Sequence, residues 1–295
     1  MTDTIAVGFD GSAESQAAID WAALEAERQG VGLRLVHVWR WQPHASAADP
    51  DKEHEWIARV PREAAQRLAE HHPGLRVEQL SVPGVAADVL VELTEDSRLL
   101  VLGSRALGRA SGFLLGSVGQ EVTARAECPV VMVRASFQDE EVRESRTPRE
   151  GPSGGPVVVG LDLVKPSRAI LQFAFEAAAL RGTGLRAVHV WKLPAVFTYG
   201  PRMIDQHQRS ELGRREHQLL STAMLPWREE YPQVTVDEQA APGNASRHLI
   251  ERADDASLLV VGRRVQRPAL GTRLGPVTQA ALHHATPPVA VVPHI

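Results

Sequence analysis

The sequence predicts two tandem α/β domains, each a doubly wound, mostly parallel five-stranded sheet with helices on both faces. Three observations carry this prediction. The chain repeats itself, strand-like and helix-like segments alternate within each copy, and a charged stretch rich in proline and glycine separates the copies. The 295 residues also suit two hydrophobic cores of about 150 residues each.

The duplication is visible in four pairs of similar segments. These are 6–15 with 158–167, 30–40 with 182–192, 99–105 with 258–264, and 128–133 with 287–292. Gly8 and Gly160 lie 152 residues apart, whereas Gly103 and Gly262 lie 159 apart, so the second copy contains about seven additional residues in between. A period near 150 indicates a duplicated domain and not a solenoid repeat.

The stretch SFQDEEVRESRTPREGPSGGP, residues 136–156, lies between the copies. It is charged, then rich in proline and glycine, and it has few apolar residues that could anchor it. This composition is typical of a flexible linker. We therefore predict domain 1 over 1–135, a linker over 136–156, and domain 2 over 157–295.

The first copy begins with a strand, a helix and a second strand. Ile5–Phe9 is a short apolar run, and Ala13–Gln29 has apolar residues at helical spacing. Gly30 is suited to end that helix as a C-cap. Leu33–Trp39 alternates between two faces, as a strand does.

A polar helical stretch over about 51–72 comes next, and Pro61 is predicted to kink or break it. The alternation then continues with strand, helix, strand, helix and strand at Leu75–Val82, Val85–Glu95, Leu99–Leu102, Ser117–Arg125 and Val130–Val133. Strands separated by crossover helices form a parallel sheet covered on both faces. Such a sheet binds ligands beyond the carboxyl ends of its strands, where the strand order reverses.

Composition excludes several classes of protein. The net charge of −4 argues against a general nucleic-acid binder, which would carry a dominant basic face. The single cysteine, Cys128, cannot form an intrachain disulfide, which fits a reducing cytoplasm. The sequence has no signal-peptide pattern and no apolar run near the roughly 18 residues that a membrane helix needs. We expect a cytoplasmic protein.

Three segments are predicted to meet at the carboxyl edge of the first sheet. Asp10 follows the first strand, Val38 ends the second, and the loop VLGSRALGRASGFLLGSVG at 101–119 follows the fourth. Asp10 has two interpretations. Its carboxylate can accept hydrogen bonds from a ribose or a base, or it can cap the following helix together with Ser12.

The loop at 101–119 also has two interpretations. Glycines at 103 and 116 let the backbone approach an anion, and free N–H groups at the start of a helix attract it. Ser117 adds a hydroxyl donor and Arg105 a charged donor. The alternative is an ordinary glycine-rich loop between a strand and a helix.

Together, VGFDGSAES, the strand ending at Gly103, the spacing to Gly116–Ser117 and the closing CPVVMVR resemble a universal stress protein, and the two copies resemble the tandem type. The resemblance covers nearly the whole chain apart from the linker. The family's nucleotide signature is Gly, two residues, Gly, nine residues, Gly, then Ser or Thr. The first copy matches it except at the second glycine, which is Ala106.

The resemblance implies an ATP-binding regulatory or sensing protein of the stress response, with Mg²⁺ as an optional companion of the nucleotide. It implies that Asp10 and Val38 contact the base and ribose, and that the loop surrounds the phosphates. Gly108, two residues beyond Ala106, is expected to relax that loop. The predicted nucleotide-binding residues of domain 1 are Gly8, Asp10, Val38, Gly103, Arg105, Gly108, Gly116, Ser117 and Val118.

The second copy departs further from the signature. Val265 replaces the second glycine, and Pro276 replaces the Ser/Thr, which removes a hydroxyl and a backbone N–H. If the second-glycine position needs a positive φ, Ala106 and Val265 are both strained there. The remaining candidates of domain 2 are Asp162, Val190, Gly262, Arg264 and Gly275. We predict that domain 1 holds the ATP and that domain 2 binds it weakly or not at all.

The arginines of the second loop have two interpretations. They either compensate by charge for the missing donors, or they form a solvated surface. These residues are Arg263, Arg264, Arg267 and Arg273. A different class of function is a partner-binding scaffold whose pockets are vestigial. We predict no catalytic residues, at most slow ATP hydrolysis, and no metal site of the protein's own.

Further predictions concern assembly and the remaining reactive side chains. The short apolar last strands, Val130–Val133 and Val289–Val292, are expected to pair the two domains within the chain and to leave a homodimer possible. His37 and His189 precede Val-Trp in both copies and are predicted to be structural. Cys128 is predicted to be packed and not catalytic.

Overall fold

The computed structural model describes residues 4–39, 50–106, 113–114, 116–135, 154–192, 206–265 and 274–295. These residues form two compact units, one from those between 4 and 135 and one from those between 154 and 295. Most of the predicted linker lies outside the described residues, so the boundaries 1–135, 136–156 and 157–295 remain a prediction.

The first unit alternates strands and helices in the predicted order. Its strands are β1 (Thr4–Phe9), β2 (Gly32–Trp39), β3 (Val77–Pro83), β4 (Leu99–Ala106), β5 (Phe113–Leu114) and β6 (Val130–Arg134). Its helices are α1 (Ala13–Gln29), α2 (Pro50–His71), α3 (Ala86–Leu93) and α4 (Ser117–Arg125). The strand order β3-β2-β1-β4-β6 is parallel throughout, and the two-residue β5 pairs antiparallel with β4.

The second unit repeats this arrangement. Its strands are β7 (Val157–Leu161), β8 (Leu185–Trp191), β9 (Val236–Pro242), β10 (Leu258–Arg264) and β11 (Val289–His294). Its helices are α5 (Arg168–Arg181), α6 (Gln206–Glu230), α7 (Ala245–Arg252) and α8 (Pro276–His284). The strand order β9-β8-β7-β10-β11 is again parallel, so the predicted fold class is confirmed for both copies.

Each sheet is buried between two layers of helices. In the first unit α1 and α2 cover one face, while α3 and α4 pack together on the other. The central strands β1 and β4 are accordingly apolar on both faces, and Ile5, Val7 and Leu100 have no exposed surface. The order of strands reverses between β1 and β4, and in doubly wound sheets a crevice forms beyond the carboxyl ends of the strands at this point.

Three local predictions are corrected or confirmed by the structure. Gly30 has φ 66° and ends α1 as a left-handed C-cap, as predicted. Pro61 lies inside α2 and does not break it, because the described helix runs continuously from Pro50 to His71. The predicted strand Leu99–Leu102 was too short, since β4 continues to Ala106 through hydrogen bonds with β6 and β5.

No helix in the part of the chain that the structure describes is long and apolar enough to cross a membrane.

Candidate functional site

The turn between β1 and α1 is built around Asp10. Its Oδ1 accepts hydrogen bonds from the backbone N–H of Ser12 at 3.0 Å and from the Ser12 hydroxyl at 2.5 Å. Ser12 is the N-cap of α1, and its Oγ accepts from the N–H of Ser15 at 3.2 Å. Asp10 therefore supports the helix cap, which is one of its two predicted roles. Its side chain is also exposed at the edge of the sheet, where the other role requires it to be.

The end of β2 contributes a buried imidazole beside the crevice. His37 is only 6% exposed, and its Nδ1 lies 3.4 Å from the hydroxyl of Ser81 on β3. Burial lowers the pKa of His37, and the charge of Asp10 partly opposes that shift. The ring is therefore neutral at pH 7. Val38 is the next residue and is half-buried, on the opposite face of the strand.

Gly103 is required by packing between β4 and α1. A Cβ at this position would lie 2.4 Å from the backbone carbonyl carbon and oxygen of Glu14 and 2.7 Å from the nitrogen of Ser15. Because these are backbone atoms, no side chain can be accommodated. Gly8 is similar in kind, since a Cβ there would lie 2.6 Å from Leu102 Cδ2. The absent side chains leave room for the protein's own atoms, and a nucleotide contact by either glycine remains a prediction.

The second glycine position of the signature needs no special backbone conformation. Ala106 belongs to β4 and pairs with Phe113 of β5. No non-glycine residue among those described has a positive φ. The strain considered for Ala106 and Val265 is therefore absent, because neither residue has a positive φ; Ala106 continues strand β4, and Val265 directly follows β10. Gly108 lies outside the described residues, as does the side chain of Arg105.

The N-terminus of α4 is the most open part of the first site. Gly116 is its N-cap, with φ −58° and ψ 159°, and provides no side-chain cap. Within the part of the chain that the structure describes, a Cβ at Gly116 would meet nothing within 4 Å. Ser117 is exposed, and Val118 is 36% exposed. The first-turn N–H groups of residues 117–119 precede the intrahelical hydrogen-bond pattern, which begins with Gln120 N–H to Gly116 O at 2.9 Å.

The second unit keeps the backbone of this feature with different chemistry. Gly275 is the N-cap of α8, with φ −64° and ψ 158°, and a Cβ at this glycine would also meet nothing within 4 Å. Pro276 occupies the first helical position, so that position has no N–H. The two glycines have nearly the same backbone angles, which means that the proline alters the donors without altering the entry into the helix.

The β7–α5 turn also differs from its counterpart. Helix α5 starts at Arg168, and its N-cap Ser167 makes no side-chain cap hydrogen bond. Asp162 is exposed, and its Oδ1 accepts from the N–H of Val164 at 3.0 Å. Val190 is half-buried and Arg264 is exposed at the same edge.

The imidazole of His294 occupies space beside Gly262. A Cβ at Gly262 would lie 2.4 Å from Ile170 Cδ1 and 2.8 Å from His294 Nε2. In the first unit the corresponding space beside Gly103 is filled by the first turn of α1. Burial is the main cause that lowers the pKa of His294, and the charges of Arg264 and Arg263 lower it further. The edge of the second unit is therefore crowded with basic groups.

The other reactive side chains fit structural roles. Cys128 is 7% exposed, and burial raises the pKa of its thiol to about 12, so it is not a nucleophile at neutral pH. His189 is buried between Leu161 O, 3.1 Å from its Nδ1, and Glu216 Oε2, 3.4 Å from its Nε2. No group of three or more His, Cys, Asp or Glu suited to a metal ion occurs among the described residues.

Two further polar residues, not predicted from the sequence, lie at the edge of the first sheet. Ser104 is 3% exposed and Arg134 is 9% exposed, and they lie opposite one another on β4 and β6. A comparison of the two copies contained a signal for them. Ser104 corresponds to Arg263, and Arg134 corresponds to Pro293, so the arginine changes strand between the copies.

Comparison with known proteins identifies the family. The model of the universal stress protein family matches residues 1–134 and again 155–293. A universal stress protein of Mycolicibacterium smegmatis is 31% identical over 302 residues, covering 98% of this chain and 96% of the relative. Its near-complete coverage means that the two-copy arrangement extends over both proteins.

Solved structures agree in fold. The crystal structure of a universal stress protein from Archaeoglobus fulgidus has a TM-score of 0.65 at 15% identity and covers 99% of each chain. A universal stress protein crystallised in complex with cAMP is 32% identical, with a TM-score of 0.36, and covers 46% of this chain and 98% of its own. With the family model matched over both copies, this chain belongs to the universal stress protein family.

Proposed function

We propose that this protein binds an adenine nucleotide, with ATP as the first candidate, at the carboxyl edge of the first unit, and that it acts as a regulatory or sensing protein in the stress response. The observation that carries the proposal is the start of α4. Its N-cap, Gly116, leaves the first-turn N–H groups without a side-chain cap, and no described residue lies within 4 Å of a Cβ built on it. Such a helix end attracts phosphate through its N–H groups and its dipole.

The position of α4 within the fold supports this choice. It follows β4, whose neighbour β1 ends at Asp10, so the helix N-terminus and the exposed carboxylate both lie at the crevice where the strand order reverses. Asp10 suits the hydroxyl groups of a ribose because a carboxylate only accepts hydrogen bonds. The exposed part of Val118 offers an apolar contact beside the helix terminus.

The second unit is proposed to bind nucleotide weakly or not at all. Pro276 removes one N–H and one hydroxyl relative to Ser117. Helix α5 also starts later than α1, which leaves Asp162 without the Ser12-type cap that orders Asp10. We therefore assign a lower nucleotide affinity to the corresponding residues of the second unit, which are Asp162, Val190, Gly262, Arg264 and Gly275.

Isothermal titration calorimetry on the full chain tests the proposal. ATP, ADP, AMP and cAMP would be titrated with and without Mg²⁺. We expect about one nucleotide per chain and a clear loss of affinity in Asp10→Ala. The matched control is Asp162→Ala, which removes the corresponding carboxylate of the second unit and should leave the affinity unchanged. Equal occupancy of two sites per chain would contradict the assignment to the first unit.

The alternative is a partner-binding scaffold with vestigial pockets, and the proline at the start of α8 favours it for the second unit. Two observations would select it for the whole protein. The chain purified without added nucleotide would release none on denaturation, and millimolar ATP with Mg²⁺ would not raise the melting temperature. An enzyme would instead show ATP turnover well above background that Asp10→Ala or Ser117→Ala abolishes.

A further inference from the structure

One buried arginine lies at the same level of the sheet in each unit, but it comes from different strands. In the first unit Arg134 of β6 is 9% exposed and lies opposite Ser104 of β4. In the second unit Arg263 of β10, which corresponds to Ser104, is 4% exposed and lies opposite Pro293 of β11. Among the side chains that the structure describes, each pair of strands thus has one buried arginine at its carboxyl end.

In the first unit Arg134 faces the start of α4. Met132 points toward α4, because its Sδ lies 3.9 Å from the Thr123 hydroxyl. Side chains two residues apart on a strand share a face, so Arg134 points to the same side, about 7 Å nearer the carboxyl edge. Along α4, Ser117 lies six residues before Thr123, about 9 Å toward that edge. The guanidinium therefore lies on the same face and at the same end as the first turn of α4.

In the second unit Arg263 faces the start of α8. The hydroxyl of Thr278, in the first turn of α8, donates to Gly262 O at 2.8 Å, so this turn rests on the end of β10. The open side of Gly262 faces Ile170 of α5. Because alternate residues point to opposite faces, Arg263 points away from α5 and toward α8.

A buried polar side chain supports the existence of a ligand beside Arg134. Ser104 shares the face of Arg134 as its neighbour in the register, and among the described residues nothing hydrogen bonds to its hydroxyl. A buried hydroxyl without a partner is costly, so a bound group that pairs with it is favoured. Burial also lowers the pKa of the Arg134 guanidinium to about 10, and the group stays charged at neutral pH.

We propose that Arg134, assisted by Ser104, is a phosphate-recognition residue of the first unit. The inference rests on the proposed nucleotide function of that unit. The ligand class is a polyphosphate chain, with or without an attached adenosine.

The experiment compares Arg134→Met with Arg125→Met in the full chain at fixed ionic strength. Both variants lose one positive charge, but Arg125 is at the other end of α4 and pairs with Asp88 and Glu121 on the surface. ATP, adenosine and inorganic tripolyphosphate are titrated by calorimetry. We expect Arg134→Met to weaken ATP and tripolyphosphate about tenfold or more and adenosine less than about threefold, and Arg134→Lys to recover part of the loss. Arg125→Met should match the wild type.

The selectivity for phosphate separates recognition from a purely structural role. A structural role would weaken ATP and adenosine by the same factor, and that result would overturn the inference, as would unchanged affinities. If Arg134→Met does not fold, Ser104→Ala and Arg134→Lys give the same comparison, with smaller losses for ATP and tripolyphosphate but not for adenosine.

Failure of the nucleotide proposal is distinguishable from failure of this inference. If the wild type binds tripolyphosphate as tightly as ATP and shows no affinity for adenosine, the nucleotide function fails while an Arg134-dependent loss still supports phosphate recognition. If ATP binds and Arg134→Met retains both its affinity and its preference over adenosine, the nucleotide function stands and the arginine assignment is wrong. Absence of binding by both ATP and tripolyphosphate contradicts both proposals.

Discussion

The exchange of Ser117 for proline tests the role of the α4 terminus directly, because the second unit already has that residue. Pro276 follows a glycine with φ −64° and ψ 158°, and Ser117 follows one with φ −58° and ψ 159°. These angles are those that a residue before proline prefers, and proline is well suited to the first helical position. We therefore expect Ser117→Pro to fold normally and to change the free energy of unfolding by less than about 0.5 kcal/mol.

The expected loss of nucleotide affinity follows from the donors removed. Ser117→Pro eliminates one backbone N–H and one hydroxyl, and a hydrogen bond to a charged phosphate is worth about 1.5–3 kcal/mol. Because the two losses overlap and water partly replaces them, we expect close to the value of one such bond, about 2.7 kcal/mol, which corresponds to a dissociation constant about 100-fold higher.

Calorimetry with ATP, alongside thermal unfolding, measures both quantities. Ser117→Ala separates the hydroxyl from the N–H and should lose less affinity than Ser117→Pro. Pro276→Ser is the reciprocal change and should strengthen binding in the second unit. An unchanged dissociation constant in a folded Ser117→Pro protein would refute the assignment of the phosphates to the α4 terminus.

Three further predictions concern packing and protonation. Gly103→Ala should lower the free energy of unfolding by about 1–3 kcal/mol, because its Cβ would lie 2.4 Å from the Glu14 backbone. Gly116→Ala should lower it by less than about 1 kcal/mol, because no described residue lies within 4 Å of the new Cβ. Chemical denaturation measures both values. Cys128 should resist a thiol reagent at pH 8 until the protein unfolds, because burial raises the pKa of its thiol to about 12, and rapid labelling of the native chain would contradict this. Burial lowers the pKa of His37 in the folded state, so the unfolded state takes up the proton at a higher pH and stability should fall as the pH drops below about 6.5. The melting temperature of His37→Asn should depend less on pH over that range than that of the wild type. An equal pH dependence of the two melting temperatures would contradict a lowered pKa of His37.

Several features of the fold could be predicted because they are local. The strand–helix alternation, the C-cap at Gly30 and the repeat of the two copies follow from residue patterns within short windows. Pro61 and the end of β4 could not be predicted in the same way. A helix tolerates an internal proline when its surroundings stabilise it, and β4 extends to Ala106 because strands β5 and β6 supply its hydrogen bonds.

The residues of the candidate site also differ in whether the sequence alone could indicate their positions and contacts. The positions of Asp10, Gly116 and Ser117 at a strand end and a helix start could be predicted because the sequence pattern marks those points, and their role toward a ligand stays a prediction. The packing role of Gly103 could not be predicted, since the atoms of Glu14 that exclude a side chain come from a distant segment of the chain; its contact with a nucleotide stays a prediction. The predicted pairing of the two domains within the chain stays a prediction.

The sequence by itself determined that the chain holds two copies of one α/β domain, where the carboxyl edges of their sheets lie, and that the second copy has Pro276 where the first has Ser117. Only the tertiary structure decided that Arg134 and Arg263 lie at corresponding levels of their sheets. Arg134 faces the start of α4, and Arg263 faces the start of α8. The physical reason is register. Which residues lie side by side depends on hydrogen bonds between strands that are far apart in the sequence, and a pattern read along one segment does not contain that alignment.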